Sequence, residues 1–166
     1  MEKLSTVEDE SLKLHQRPVD LNDLAREAAK SFEAVCAGKK ISLEIIGEPS
    51  VVSADAERLG QVLINLISNA VKYTPDSGHI RIMVKDEEKE GIITVEDDGI
   101  GIDQEDLPYI FERFYRTDRS RSRTTGGAGI GLSIVKAIVN AHGGTVQAQS
   151  EGKNLGSKVI VRIPKH

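Results

Sequence analysis

The sequence predicts a single α/β domain, on three observations. Segments with apolar residues at helical spacing alternate with short β-rich runs, Gly, Pro and Asp turn signals separate them, and 166 residues leave room for one ordinary core. Residues 1–16 carry helix-friendly Leu, Glu and Lys, and Arg17-Pro18-Val19 then breaks that pattern. Asp20 has the side chain of an N-cap. Leu21, Leu24, Ala25, Ala28, Ala29 and Phe32 follow at helical spacing towards an end near Gly38, and a strand is expected over 41–46. In 56–73, Leu59, Val62, Leu63, Leu66, Ile67 and Ala70 form an amphipathic stripe, with Asp55 as its cap and Thr74 to Gly78 as its stop. Two strands, 79–85 and 92–96, flank a charged turn and read as a hairpin. A short helix near 105–111 precedes a polar stretch over 116–127 with little reason to fold regularly. A helix over about 130–141 and strands over 145–150 and 158–163 complete the order, with Pro164 as terminator.

Composition narrows the function classes. Hydrophobic residues make up 39% and charged residues 29%, which suits a folded chain and not a disordered one. With no Trp, three Tyr and three Phe, the core must rest on Ile, Val, Leu and Ala, and platforms for stacking bare bases are scarce. A net charge of -4 argues against coating nucleic acid or an anionic membrane through the overall field. Cys36 is the only cysteine, so no internal disulfide forms, and a reducing, cytoplasmic setting is expected. The apolar stretch 62–67, interrupted by Asn65, falls far short of the roughly 20 residues that cross a bilayer. No membrane contact is expected of this segment, although a longer parent could be anchored.

Several standard catalytic patterns are absent: GxxxxGK[ST], HExxH and GxSxG do not occur. Gly127, Gly129 and Gly131 alternate ahead of a helix instead of following the GxGxxG spacing, and the residues before them are arginine-rich loop and not strand, so the run does not read as a Rossmann turn. Such a run offers unhindered amides to a phosphate, or serves as a plain hinge. Five arginines and one acid lie between Arg113 and Arg123, readable as a solvated face or as a phosphate-handling lid. On the helix over 56–73, Asn69 sits about 40° to one side of Asn65 and Lys72 about 20° to the other, so the three share a stripe. Asn is a poor helix former, and its carboxamide oxygen can join phosphate oxygens around magnesium; an ordinary polar face is the alternative. Asp98-Gly99 reads first as a turn. Asp97 ends a strand expected to be buried and must find donors, such as the exocyclic amine of adenine. Gly99 and Gly101 would let backbone approach a flat base.

Together, NLISNAVKYTP (Asn65 to Pro75), DDGIGI (Asp97 to Ile102), FERFYRTD (Phe111 to Asp118) and GGAGIGLSIVKAIVNAHGG (Gly126 to Gly144) resemble the N, G1, F and G2 boxes of the ATP-binding domain of bacterial sensor histidine kinases, in the family's order. The resemblance covers about 18–164. It implies the Bergerat ATP-binding fold, a two-layer α/β (α+β) sandwich in which a mixed sheet of about five strands carries three main helices on one face. It further implies that Asn69 binds magnesium, that Asn65 is the first asparagine of its box, that Lys72 contacts phosphate, that Tyr73 packs near adenine and that Asp97 accepts from the adenine amine. Gly99 and Gly101 correspond to the G1 glycines, Arg116 to the arginine that reaches the phosphates, and Gly127, Gly129, Ile130, Gly131 and Leu132 to the hinge and phosphate loop. Asn65, Lys72 and Arg116 are thereby the candidate catalytic residues. Phe111 and Phe114 would dock the lid and partner helices. Gly156-Ser157 resembles a last Gly-Thr box with Ser replacing Thr, and Ser157 carries little weight.

Two departures shape the expected mechanism. The chaperone and topoisomerase branch of the superfamily places a glutamate where Asn65 stands, so hydrolysis lacks its base here. His15 is followed by Gln16, Arg17, Pro18 and Val19, which does not match the family's acceptor histidine. The resemblance therefore implies a kinase fragment: 1–17 as the tail of a dimerisation and phosphoacceptor helix or a linker, and 18–166 as the catalytic domain. ATP and Mg2+ are the expected cofactors, and a separate acceptor hairpin and a downstream response regulator the expected partners. No nucleic-acid partner is expected, and the isolated domain is expected to be a monomer. Rival readings are a conformational ATPase of the same superfamily, a serine kinase acting on an anti-sigma-factor partner, and a nucleic-acid module using the arginine cluster.

Overall fold

The computed structural model describes residues 13–102, 105, 107–111, 127–152 and 155–165. In chain order the elements are β1 (Arg17–Asp20), α1 (Leu21–Lys30), α2 (Glu33–Lys39), β2 (Ser42–Gly47), β3 (Val51–Ala54) and α3 (Ala56–Tyr73). There follow β4 (His79–Asp86), β5 (Glu90–Asp97), a single 3-10 turn (Leu107–Tyr109), α4 (Gly127–Ala141), β6 (Thr145–Gln149) and β7 (Ser157–Pro164). The main sheet has the order β2-β4-β5-β7-β6. β2 runs parallel to β4 and the other neighbours are antiparallel, so the sheet is mixed, as expected.

Alternation along the strands decides which face is covered. Ile80, Ile82 and Val84 of β4, Ile93 and Val95 of β5, and Val161 and Ile163 of β7 are buried and join one cluster with the apolar stripes of the helices. His79, Arg81 and Lys85, on the other side of the pleat, are exposed, so the helices form one layer on one face. α3 is the central helix of that layer: Leu59, Leu63 and Ile67 are fully buried, each contributing about 1.5–3 kcal/mol through removal from water. Asp20 and Asp55 cap α1 and α3 as expected, accepting from the Asn22 and Arg58 amides at 3.0 and 3.2 Å.

Four details depart from the sequence reading. The helix expected from Asp20 to near Gly38 is two helices, because the Ser31 and Phe32 amides bond back to Ala28 and Ala29, tightening and ending the first. The second runs past Gly38, and its left-handed cap is Lys40 (φ 58°). The junction at Arg17-Pro18-Val19 is strand β1, paired with β3 in a separate two-stranded sheet too short to show an alternating pattern. The helix expected near 105–111 is only the 3-10 turn among the described residues. The helix expected from about residue 130 begins at Gly127, so the glycine run lies in its first turns; glycine weakens a helix by about 1 kcal/mol per residue but does not forbid one.

Candidate functional site

The end of β5 and the end of α3 meet. Asp97 is the last residue of β5 and pairs across the ladder with Ser157 of β7. Its carboxylate accepts from the Gly99 amide at 2.8 Å and from the Ser157 hydroxyl at 2.9 Å. Burial pushes the Asp97 carboxyl above the usual range, and the charge of Asp98 adds to that; the Gly99 and Ser157 donors only partly offset it. A half-buried acceptor with two donors fixing its plane is suited to a further donor from a ligand. Asp98 turns the other way. It accepts from the His79 amide at 2.8 Å and meets the His79 ring at 2.9 Å, and although its partial burial acts upward, the His79 contacts hold its carboxyl below the usual range.

The turn after Asp97 is packed too closely for a side chain. The Ile100 amide donates to the Tyr73 carbonyl at 3.1 Å, and a Cβ on Gly99 would collide with that carbonyl. Glycine at 99 is thus required by the approach of α3, and not only by the shape of the turn. Gly156, with φ +78°, donates to the Gly99 carbonyl at 3.2 Å, and a Cβ on it would strike the Asp97 carbonyl. Gly101 also takes a left-handed conformation, φ +75°.

Asn65, Asn69, Lys72 and Tyr73 are all partly exposed on α3, and helical geometry keeps the first three on one stripe. The Lys72 ammonium lies 5.7 Å from the centroid of the Tyr73 ring. The Ile100–Tyr73 hydrogen bond ties the last turn of α3 to the turn that follows Asp97, so these two segments, separate in sequence, meet. Leu132 is partly buried and packs on the core. Gly127, Gly129, Ile130 and Gly131 lie on α4, their side chains outside the described part, and Arg113, Phe114, Arg116, Arg119, Arg121 and Arg123 lie outside the described residues altogether. Phe111 is half-buried. Ser157, which carries little weight in the sequence, is a direct partner of Asp97 through its hydroxyl.

Comparison with known proteins shows the family and the fold. The family described as histidine kinase-, DNA gyrase B-, and HSP90-like ATPase matches residues 54–166. The chain is 47% identical to the sensor histidine kinase WalK of Bacillus subtilis (strain 168) over 116 residues, 68% of this chain and 19% of that protein. It therefore spans about a fifth of that relative's length. Its fold superposes on the catalytic domain of histidine kinase ThkA with a TM-score of 0.81 at 32% identity, covering 92% of this chain and 99% of that one. ThkA in complex with the response regulator protein TrrA matches with a TM-score of 0.77 at 29% identity, covering 99% of this chain and 48% of that one. Shared fold, matched family and the joined α3 and β5 ends lead to one identification: the chain belongs to the histidine kinase-, DNA gyrase B- and HSP90-like ATPase family, as a catalytic domain of the sensor histidine kinase kind.

Proposed function

We propose that this domain binds ATP together with Mg2+ and delivers the γ-phosphoryl group to a histidine on a helical hairpin outside residues 18–166. The observation that carries the reading is the Ile100–Tyr73 hydrogen bond of 3.1 Å, which ties the final turn of the helix bearing Asn65, Asn69 and Lys72 to the turn after Asp97 and so supports a single site between them. Asp97 then accepts from the adenine amine, while Lys72 and Arg116 contact the phosphates. The residues fit a magnesium ion by the chemistry of their donors. No cluster of three or more His, Cys, Asp or Glu exists among the described residues, and neutral carboxamide oxygens supplemented by phosphate oxygens suit this hard cation. Asn69, with Asn65 beside it, would hold the ion, and when bound it neutralises charge on the transferring group. In transfer, the acceptor imidazole nitrogen bonds to the γ-phosphorus as the bond to the bridging oxygen breaks and ADP leaves. The protein's part is positioning and charge neutralisation.

Asn at position 65, where hydrolytic relatives carry a base, supports transfer over hydrolysis. A response regulator downstream is proposed by analogy with the ThkA–TrrA pair, and a cytoplasmic setting fits the lone cysteine, Cys36, which is free and buried. Among the described residues no helix is long and apolar enough to cross a membrane. The test is calorimetric titration with ATP, with and without Mg2+, followed by mixing with a separately made acceptor hairpin and assay of acid-labile phosphohistidine. Asn69→Ala should abolish the magnesium-dependent part of binding; undiminished affinity removes the assignment. Steady phosphate release by the domain alone would favour the conformational-ATPase reading instead.

A further inference from the structure

The last turn of α3 carries Lys72 and Tyr73, and it ends abruptly. Thr74 is extended (φ -97°, ψ 128°), the conformation favoured before a proline, and Pro75 has no N-H. In a continuing helix the Val71 carbonyl would accept from residue 75, so here that acceptor must be met from elsewhere. It is met by Lys39, the last residue of α2. The Lys39 ammonium donates to the Val71 carbonyl at 2.9 Å and to the Thr74 carbonyl at 3.0 Å. The Lys39 carbonyl in turn accepts from the Ser77 amide at 2.9 Å, so both ends of this residue hold the turn that follows α3. Between the two carbonyls bound by the ammonium lies that of Tyr73, the acceptor for Ile100.

We propose that Lys39 is a positioning residue of the nucleotide site, an inference that rests on the function proposed above. Its ammonium fixes the direction in which the final turn of α3 presents the Tyr73 carbonyl, and through the Ile100 bond it sets the separation of the asparagine stripe from Asp97. It touches neither nucleotide nor reacting atoms. A cation suits the place, because the negative end of the helix dipole and two outward carbonyls converge there. An uncharged side chain of similar length keeps the packing of the stem but leaves both carbonyls without this donor.

The test compares wild type, Lys39→Met and Lys39→Arg by Mg·ATP titration and by amide hydrogen exchange, at a temperature where each is folded. Lys39→Met should weaken Mg·ATP binding about tenfold, as expected for a lost charged hydrogen bond at a helix end. It should speed exchange at Ile100 while leaving Ile93, in the middle of β5, protected, and Lys39→Arg should recover most of both effects. Unchanged affinity and Ile100 protection in Lys39→Met overturn the proposal. Equal acceleration at Ile100 and Ile93 also overturns it, since that is the mark of a global stability role. If Lys39→Met does not fold, Lys39→Gln, which retains one neutral donor, must show the same selective loss at Ile100, and its absence counts against the role. Failure of the wild type to bind Mg·ATP removes the nucleotide reading itself, a result distinct from wild-type binding with an indifferent Lys39→Met.

Discussion

The two ends of α3 are finished in different ways. At the start, Asp55 caps its own helix by accepting from the Arg58 amide at 3.2 Å, three residues on. The buried carboxylate also accepts from the His15 amide at 3.0 Å, and the Asp55 amide donates to Nε2 of His142 at 3.0 Å. That nitrogen is therefore the acceptor, and Nδ1, 2.8 Å from the Ile138 carbonyl, carries the proton. At the other end Lys39 and Ile100 donate to the last carbonyls, from distant parts of the chain. The difference teaches that the cap at the start of this helix is encoded within three residues, with His15 and His142 added by the fold, whereas the end that carries Lys72 and Tyr73 takes its donors from distant segments.

Substitutions can break or sharpen that contrast. The largest effect belongs to the middle of the helix, which both ends share: Leu63→Ala, at a fully buried position, should cost about 2–5 kcal/mol in urea unfolding, and a smaller loss would mean that α3 is not the central packing element. Asp55→Ala should cost about 1–2 kcal/mol as the loss of a cap, while leaving Ile100 exchange as protected as the global stability permits; selective loosening at Ile100 would show the two ends to be coupled. His142→Phe should cost about 1 kcal/mol by depriving the Asp55 amide of its acceptor, and no change in unfolding midpoint would mean another acceptor takes over.

The two site-bordering and capping aspartates should answer oppositely to acid. Burial acts to raise Asp55, but the amides of His15, Arg58 and Glu57 outweigh it and hold the carboxyl below its ordinary value of 3.8. Its contribution to stability is present above the unfolded pKa and is lost as pH falls through the lower folded value. Asp97, raised chiefly by burial, behaves in the reverse sense: the folded state holds that proton more tightly, so protonation at Asp97 favours the fold while removing the anionic acceptor. ATP affinity should therefore begin to fall at a higher pH than an ordinary aspartate would dictate, before the acid unfolding limb, and an affinity profile that follows unfolding would remove Asp97 from adenine recognition. The smallest expected stability effect is that of Asp97→Asn. It relieves a buried charge, and the Ser157 hydroxyl can rotate to accept from the new amide, so the unfolding midpoint should change little while preference for adenine over guanine weakens. Retained preference would contradict the role.

Much of the layer structure was readable. The apolar stripe from Leu59 to Ala70 predicted α3 over the residues it occupies, and the hairpin of β4 and β5 followed from alternation around a charged turn. Asn65, Asn69 and Asp97 stand out as candidates because an asparagine is unfavourable inside a helix and a carboxylate is costly at a buried strand end, whereas Lys72 is an ordinary residue for the last turn of a helix. The value of Ser157 was not, because a serine beside a glycine gives no sign of the cross-strand aspartate it faces. β1 and β3 escaped notice for a related reason: four-residue strands carry too few positions for a period to show.

Residue order alone settled where chain segments turn, which faces are apolar and where a helix can start, since these depend on side chains a few positions apart. Tertiary packing decided the rest: that Lys39 closes α3, that Ile100 binds Tyr73, and that Ser157 orients Asp97. Those contacts join residues far apart in the chain: pairing of β5 with β7 sets Ser157 opposite Asp97, and packing of the helices brings Lys39 to the end of α3, so that carbonyls and carboxylates meet donors that local sequence does not supply.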